Sequence, residues 1–157
     1  MASKKWLVIY SGAQNMSELV VLKQINSNGI AEITLNRPHV FNGYNEELLT
    51  AFRTILDELK ASKAVRAMIL RGAGKHFSVG ADLNWFKSLA KESDKEKKRC
   101  ADLSVGAMRE LFEIPIPTIA LIQNGCFGGG VGYAEHDFRR PIEPRLDVGV
   151  DLLIDER

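Results

Sequence analysis

A run of glycines late in the chain offers chemistry through its backbone rather than through side chains. The run is Gly125-Cys-Phe-Gly-Gly-Gly-Val-Gly132, and it follows an apolar stretch at residues 118–122 that predicts a buried strand. A strand followed by glycines indicates a turn into a helix, and we expect Gly129 to open that helix. Its N–H is then an unpaired donor at the positive end of the helix dipole. Such a donor suits a phosphate or a developing oxyanion.

Other interpretations of the glycines lead to different expectations. Glycine clusters also mark sharp turns or helices packed closely on a sheet, and the residues alone leave this structural explanation open. The dinucleotide-binding pattern G-x-G-x-x-G does not fit residues 125–132, and no Gly-Lys-Ser/Thr of a phosphate-binding P-loop follows. The pattern therefore favours an anion-holding turn over a Rossmann or P-loop site.

The composition predicts one soluble globular domain. The chain has 157 residues, 45% of them hydrophobic, which is enough for one core. Lys and Arg total 21 against 20 for Asp and Glu, so the net charge of +1 gives no general case for nucleic acid or membrane binding. Cys100 and Cys126 form no C-x-x-C pair, so neither a disulfide framework nor a metal site is indicated. We expect a reducing, cytoplasmic location.

The hydrophobic pattern predicts the elements that position the glycines. Strands at residues 19–24 and 30–35 flank Asn26-Ser-Asn-Gly29, which has the composition of a hairpin turn. Asn45 is a plausible N-cap of a helix that runs to about residue 62. An unbroken apolar run at residues 67–70 then predicts an inner strand of a parallel sheet.

Two further helices are predicted before the last strand. Asp82 precedes a helical pattern at residues 83–90, and residues 101–114 form a second one. The mixed charges of residues 91–99 are expected to form a solvated face or a mobile connection. The alternation of strands and helices indicates an α/β protein.

Three loops follow strands in this order: the first loop (residues 37–44), the second loop (residues 72–83) and the glycine loop (residues 125–132). Right-handed crossovers place such loops on one rim of the sheet, where α/β proteins bind ligands. We therefore expect the three loops to share one site.

The chain is divided into a core and two flanking segments. Residues 1–18 are interpreted as an N-terminal extension, because the regular pattern begins only after Met16 and the preceding apolar stretch is too short for a signal sequence or membrane span. Residues 19–133 form the core, and residues 134–157 form a divergent tail.

Three segments together resemble the crotonase, or enoyl-CoA hydratase/isomerase, superfamily. They are Ile33-Thr-Leu-Asn-Arg-Pro38 with Asn42, His76-Phe-Ser-Val-Gly-Ala-Asp-Leu83, and Gly125-Cys-Phe-Gly-Gly-Gly130. The resemblance covers about residues 19–133. It implies an α/β fold that comprises the N-terminal half of a crotonase-like ββα spiral.

The resemblance implies that the chain binds a coenzyme A thioester, as substrate rather than as a permanently bound cofactor. It implies that the N–H groups of Ala81 and Gly129 are the catalytic donors that receive the thioester oxygen as enolate charge develops. The residues implied to bind the substrate are Arg37, Val40, Phe41, Val79, Gly80, Asp82, Leu83 and Gly128. Asp82 is also read as a helix cap, and His76 either as a solvated side chain or as a phosphate ligand.

The chain departs from the family pattern after the glycine loop. Gly132 stands where common hydratases of the family carry a glutamate, and residues 134–157 contain nothing like the family's next strand and second acidic loop. Glu135 and Glu143 lie in a polar, proline-broken stretch. A truncation or frameshift after about Tyr133 is therefore expected, with little or no activity and with the family's trimeric or hexameric assembly in doubt.

Three functional interpretations remain open from sequence. The first is an enoyl-CoA hydratase or isomerase, and Gly80-Ala-Asp-Leu-Asn-Trp85 resembles the methylglutaconyl-CoA and isohexenylglutaconyl-CoA hydratases of leucine and terpene breakdown. The second is a non-catalytic acyl-CoA-binding remnant or a partner of an intact homologue. The third is an unrelated nucleotide-binding α/β module.

Overall fold

A computed structural model of the chain describes residues 6–7 and 19–130, with the backbone alone for residues 6–7. This part contains the strands β1 (Trp6–Leu7), β2 (Val21–Asn26), β3 (Ile30–Leu35), β4 (Ala67–Gly72) and β5 (Thr118–Leu121). Its helices are α1 (Glu46–Ala61), α2 (Leu83–Leu89) and α3 (Asp94–Phe112), and a single 3-10 turn spans Pro38–Val40.

The strands form one mixed sheet in the order β1-β2-β3-β4-β5. β1, β2 and β3 are antiparallel neighbours, whereas β3, β4 and β5 are parallel. Since parallel strands point the same way, the carboxyl ends of β3, β4 and β5 lie on one edge of the sheet. The loops that follow these three strands therefore leave from the same edge, and the predicted α/β class is confirmed.

The hairpin between β2 and β3 is built by the side chain of Asn26. Its Oδ1 accepts hydrogen bonds from Asn28 N and Ile30 N, both at 3.0 Å. Gly29 has φ 76°, and a Cβ there would lie 2.4 Å from Ala64 O. The predicted hairpin is confirmed, but β2 occupies residues 21–26 instead of 19–24.

Helix α1 covers the sheet with one apolar face. Asn45 caps it as predicted, because the Asn45 side chain accepts from Leu48 N at 3.0 Å. The side chains it buries are Leu48, Leu49, Phe52, Leu56 and Leu59. Each fully buried side chain of this size contributes about 1.5–3 kcal/mol relative to exposure. These residues pack in one core with the inward positions of β3 and β4, which are Ala31, Ile33, Leu35, Met68 and Leu70.

Helix α3 begins at Asp94, so of the two expectations for residues 91–99 the solvated face is confirmed, since nearly all of these residues are exposed, and the mobile connection is wrong for residues 94–99. Ser93 caps the helix by accepting from Glu96 N at 3.3 Å. Arg99 adds an ion pair to Glu46 of α1 at 2.7 Å. The first turns of α3 are thus stabilised by a cap and by ion pairs rather than by buried apolar side chains. The hydrophobic pattern therefore located only the later part of this helix.

The proposed division of the chain falls partly outside the described residues. Of residues 1–18, Trp6–Leu7 pair with β2, with Trp6 opposite Asn26, while the tail at residues 134–157 lies wholly outside. Within the described part, no helix is both long and apolar enough to cross a membrane. Large apolar side chains exposed on this part include Phe112, Ile119, Leu121 and Phe127.

Candidate functional site

Asn42 joins the first loop to the second loop. Its side chain is fully buried, and Nδ2 donates to Ala73 O and His76 O, both at 2.8 Å. Its Oδ1 accepts from Arg37 N at 2.9 Å. The backbone of Asn42 has φ 55°, a left-handed conformation that asparagine tolerates better than most residues. One buried amide therefore fixes the relative positions of two of the three loops.

The glycine loop is attached to the second loop mainly through Ser78. Phe127 N donates to Ser78 O at 3.0 Å, and Ser78 N donates to Gly125 O at 3.3 Å, as in a short parallel ladder. His76 adds a side-chain link, because its Nδ1 accepts from Gly125 N at 3.0 Å. A phosphate role for His76 stays a prediction, with Nε2 as the ring nitrogen left for a ligand.

Tyr44, at the end of the first loop, pairs with the backbone around Ala81. Tyr44 N donates to Gly80 O at 2.8 Å, and Asp82 N donates to Tyr44 O at 2.9 Å. Val79 N also donates to Phe41 O at 3.1 Å. All three loops are therefore connected by hydrogen bonds, as expected from their shared edge of the sheet.

Gly80 brings the second loop against the backbone of Gly129. It has φ 88°, and a Cβ at Gly80 would lie 2.9 Å from both Gly129 N and Phe127 O. Within residues 6–7 and 19–130, neither Ala81 N nor Gly129 N donates to an acceptor. The Gly129 amide therefore lies beside the residue that precedes Ala81. Ala81 and Gly129 therefore belong to backbone segments that contact each other.

The chain enters helical geometry at Gly130, the last described residue, where Gly130 N donates to Phe127 O at 2.9 Å. This agrees to within one residue with the expectation that Gly129 opens a helix. Gly128 has φ 52° and is exposed beside the Val79 carbonyl, which would lie 3.8 Å from a Cβ at Gly128. Four of the predicted site residues, Val79, Gly80, Gly128 and Gly129, are thus brought together.

Arg37 and Asp82 form an ion pair beneath this backbone. Arg37 Nη2 lies 2.9 Å from Asp82 Oδ2, and the two side chains are 12% and 9% exposed. Asp82 Oδ1 also accepts from Asn84 N at 2.9 Å, so the predicted cap of α2 is confirmed. Burial by itself raises the pKa of Asp82, but the hydrogen bonds from Asn84 N, Arg37 and Trp85 N together hold the pKa below its ordinary value. Both predicted substrate-binding side chains are therefore paired with each other.

Replacement of Asp82 by asparagine is expected to lower the free energy of unfolding by about 2 kcal/mol at pH 7, because a charged hydrogen bond to Arg37 is lost. Since the folded-state pKa is lowered, the carboxylate contributes its full stabilisation above its unfolded pKa of about 3.9, and this contribution is lost as pH falls from that value through the lower pKa of the folded state. Denaturant unfolding of both proteins from pH 6 to pH 3 should show the difference shrinking. A difference that stays constant over this range would contradict the assignment.

The other predicted substrate-binding residues, Val40, Phe41 and Leu83, lie on the outer rim, which is the solvent-facing side of the first and second loops. Phe41 is 49% exposed, has φ 52°, and packs its ring edge-to-face with His76 at 5.1 Å between centroids. Val40 ends the 3-10 turn and accepts from Gly43 N at 2.9 Å. Leu83 is 71% exposed at the start of α2.

A mainly apolar cleft of about 350 Å³ opens beside Ala81. Its walls include Tyr44, Ala81, Trp85, Phe86, Leu89 and Cys100.

Tyr44 was not among the residues predicted for the site, because neither its type nor its spacing distinguishes it in the first loop. A Cβ at Gly129 would lie 2.4 Å from Tyr44 Oη, so the phenol packs against the backbone of Gly129. Burial raises the pKa of this phenol.

Glu46, Glu96 and Cys100 bring three atoms that could ligate a metal, two carboxylate oxygens and one sulfur, within 4.8 Å of one another. The guanidinium of Arg99 already binds both carboxylates, at 2.7 Å to Glu46 and 2.5 Å to Glu96. Burial raises the pKa of the Cys100 thiol, which favours its protonated form. The cluster is therefore an ion-pair network between α1 and α3.

Comparison with known proteins gives matches over the same part of the chain. The enoyl-CoA hydratase/isomerase family model matches residues 25–135. A putative enoyl-CoA hydratase of Thermus thermophilus is 31% identical over 111 residues, which is 71% of this chain and 44% of the relative. A Δ(3,5)-Δ(2,4)-dienoyl-CoA isomerase of Dictyostelium discoideum is 30% identical over 118 residues, which is 70% of this chain and 40% of the relative.

Solved structures share the fold. A putative enoyl-CoA hydratase/isomerase (crotonase) of Legionella pneumophila superposes with a TM-score of 0.71 and 34% identity, over 76% of this chain and 46% of that one. An enoyl-CoA hydratase of Shewanella pealeana gives a TM-score of 0.72 and 28% identity, over 78% and 48%. The described sheet and helices are thus part of a crotonase-like fold.

The chain spans less than half the length of these curated relatives, 44% and 40%. The matched region nevertheless includes all three loops and the strands that precede them. Because the family model covers well over half of the sequence, at residues 25–135, this chain belongs to the enoyl-CoA hydratase/isomerase family.

Proposed function

We propose that the chain binds an acyl-CoA thioester and receives its carbonyl oxygen between Ala81 N and Gly129 N. The observation that supports the proposal is the approach of Gly80, the residue before Ala81, to the backbone of Gly129, together with the lack of an acceptor for Ala81 N and Gly129 N in the described part of the chain. The cleft beside Ala81 supplies an apolar surface for the acyl group. Family membership favours an acyl-CoA ligand over the nucleotide-binding alternative.

The paired amides would act on a thioester by stabilising charge. Removal of a proton next to the thioester carbonyl, or addition to a conjugated double bond, places negative charge on the carbonyl oxygen. Fixed N–H donors stabilise this charged oxygen more than the neutral carbonyl, which is the condition for lowering a reaction barrier. Since the donors belong to the backbone, the site requires small residues such as Gly80 and Gly129, whose role is to allow the thioester to approach.

The rest of the coenzyme would lie along the outer rim of the loops. By position in the family motifs, Val40, Phe41 and the Val79 carbonyl would contact the adenine and pantetheine portions. Arg37 and Asp82 would hold the loops in place, because each is engaged by the other. A branched, carboxylated acyl group stays a prediction from the sequence around Gly80–Trp85, and so does a cytoplasmic location.

Titration with acetoacetyl-CoA tests the proposal, because the enolate of this compound resembles the charged intermediate. We expect the protein to bind it more tightly than free CoA and to increase the fraction of enolate, measured by calorimetry and ultraviolet absorbance. Equal affinity for acetoacetyl-CoA and CoA, with no spectral change, would reject the oxyanion site.

The same protein is expected to turn over substrate poorly. Asp82 is occupied by Arg37, and Gly132 stands where common hydratases carry a glutamate, so no assigned carboxylate transfers the proton. General acid–base catalysis typically contributes a factor of about 10²–10⁴. Hydration of crotonyl-CoA or methylglutaconyl-CoA should therefore be at least about 100-fold slower than in a hydratase of the family that carries this glutamate. Comparable rates would show that a proton-transfer group has been missed.

A further inference from the structure

Lys97 is the one charged side chain among the described residues that line the apolar cleft beside Ala81. The other described residues along its walls are uncharged, and most of them are aromatic or aliphatic. In an apolar binding cleft, a small number of polar or charged groups fixes the orientation of the ligand and supplies specificity. Lys97 is therefore positioned to select a charged group on the acyl chain.

Helix α3 presents Lys97 to the cleft. Lys97, Cys100, Ala101 and Ser104 all line it, and this spacing places the four residues on one face of α3. The Lys97 side chain is 43% exposed, so more than half of it is covered. Lysine commonly lays its methylene stem on apolar surface and keeps the ammonium at the edge of that surface. We therefore expect the ammonium at the mouth of the cleft.

The ammonium of Lys97 is available to a ligand. Its ion pair in the described part of the chain is with Asp94, where Nζ and Oδ1 are 3.6 Å apart, which is too long for a hydrogen bond. The Asp94 side chain is fully exposed, and an exposed pair of this kind contributes little. Within residues 6–7 and 19–130, Lys97 donates no side-chain hydrogen bond. Its three N–H donors can therefore bind a carboxylate.

Lys97 lies near the end of the cleft that is remote from Ala81. Ala81 directly precedes the cap of α2, whereas Leu89 is the last residue of that helix, and both line the cleft. At 1.5 Å per residue, α2 is about 10 Å long. Helix α3 begins at Asp94, five residues after Leu89, so Lys97 in its first turn belongs to the Leu89 end. A short acyl chain extending from Ala81 along α2 therefore points its far end toward Lys97.

We propose that Lys97 binds a second carboxylate at the far end of the acyl group, so that the cleft prefers dicarboxylic acyl-CoA thioesters. The inference rests on the proposed function, because it requires a thioester held beside Ala81. It deepens that function by naming the substrate class and the residue that recognises it. A carboxylate accepts charge-assisted hydrogen bonds from the ammonium, whereas a methyl-ended chain of the same length gains none. Lys97 determines specificity and takes no part in the reaction at the thioester.

Adipoyl-CoA and hexanoyl-CoA test the preference, because their acyl groups have the same number of carbons and only the first ends in a carboxylate. Calorimetric titration of the unaltered protein should give an affinity about fivefold higher for adipoyl-CoA. In Lys97→Met, which keeps an apolar stem and removes the charge, hexanoyl-CoA should bind more tightly than adipoyl-CoA, because the carboxylate then enters an apolar cleft without a partner. Affinity for acetoacetyl-CoA, which has no acyl carboxylate, should stay within about twofold.

Lys98→Met is the matched control. It makes the same change of charge one residue away, at a side chain that is 76% exposed, pairs with Asp102 at 3.0 Å and is not among the residues that line the cleft. Any general effect of net charge on binding the anionic coenzyme appears equally in both variants. Lys98→Met should keep the preference for adipoyl-CoA. Circular dichroism and thermal unfolding establish that both variants are folded.

The outcomes separate this inference from the proposed function. If the unaltered protein binds none of the three thioesters, the proposed function fails and the role of Lys97 fails with it. If it binds acetoacetyl-CoA but binds hexanoyl-CoA as tightly as adipoyl-CoA, only the Lys97 inference is overturned. A preference for adipoyl-CoA that persists in Lys97→Met would also overturn it, as would an equal loss of affinity for all three thioesters, which indicates a structural role.

Discussion

Gly80→Ala is expected to reduce the affinity for the acetoacetyl-CoA enolate by about two orders of magnitude, which corresponds to loss of one oxyanion donor at about 3 kcal/mol. The added Cβ would lie 2.9 Å from Gly129 N and Phe127 O, which are backbone atoms that cannot rotate away. Gly80 also has φ 88°, where an alanine is strained. The loops must therefore separate, and the methyl group covers the Gly129 amide.

Binding to Gly80→Ala is measured by calorimetry, with thermal unfolding in parallel. Strain of this kind costs about 1–3 kcal/mol, so a lower melting temperature should accompany the loss of affinity. Gly106→Ala, within α3, is the matched control. A Cβ at Gly106 would have the guanidinium end of the Arg53 side chain as its nearest neighbour, with Nη1 at 3.3 Å. Alanine favours a helix interior by up to about 1 kcal/mol, so this control should be stable and bind normally. Normal enolate affinity in Gly80→Ala would show that Gly129 N does not bind the enolate oxygen.

Asn42→Ala is expected to lower the free energy of unfolding by about 4 kcal/mol. The substitution removes hydrogen bonds to Ala73 O, His76 O and Arg37 N, all within 2.9 Å, from a side chain with no exposed surface. A buried polar group left without a partner costs about 1–3 kcal/mol. The left-handed backbone of residue 42, at φ 55°, adds strain for alanine.

Denaturant unfolding measures this effect, and Asn28→Ala provides the control. Asn28 is exposed in the hairpin turn, where its backbone N–H makes the bond to Asn26. Its replacement should change stability by no more than about 0.5 kcal/mol. A loss below about 1 kcal/mol in Asn42→Ala would show that water replaces the amide and that the loops are not held by this residue.

The main elements of the fold were predictable because their local signals agree with their tertiary environment. The period of the apolar residues located α1, and Asn45 and Asp82 were recognised as caps from their type and position. The Asn26–Gly29 turn located the hairpin. These signals depend on residues within one or two turns of each other, so no knowledge of distant contacts was needed.

The start of α3 was missed because its stabilising contacts are not apolar and not all local. Arg99 reaches Glu46, 53 positions earlier in the chain, and this partner cannot be read from the charge run itself. Tyr44 was missed for the same reason, because its neighbours are distant in the sequence. Its neighbours Ala81 and Gly129 come from the other two loops, and only the parallel arrangement of β3, β4 and β5 brings them to it.

The amino-acid sequence by itself determined the family, the α/β class and the glycines at which the second loop and the glycine loop contact each other, because these depend on residue types at fixed spacing. Only the tertiary structure decided that Arg37 is bound to Asp82, that His76 supports the glycine loop, and that the Tyr44 hydroxyl lies at Gly129. The physical reason is that a hydrogen bond depends on distances of about 3 Å between atoms, and folding sets those distances between residues far apart in the chain.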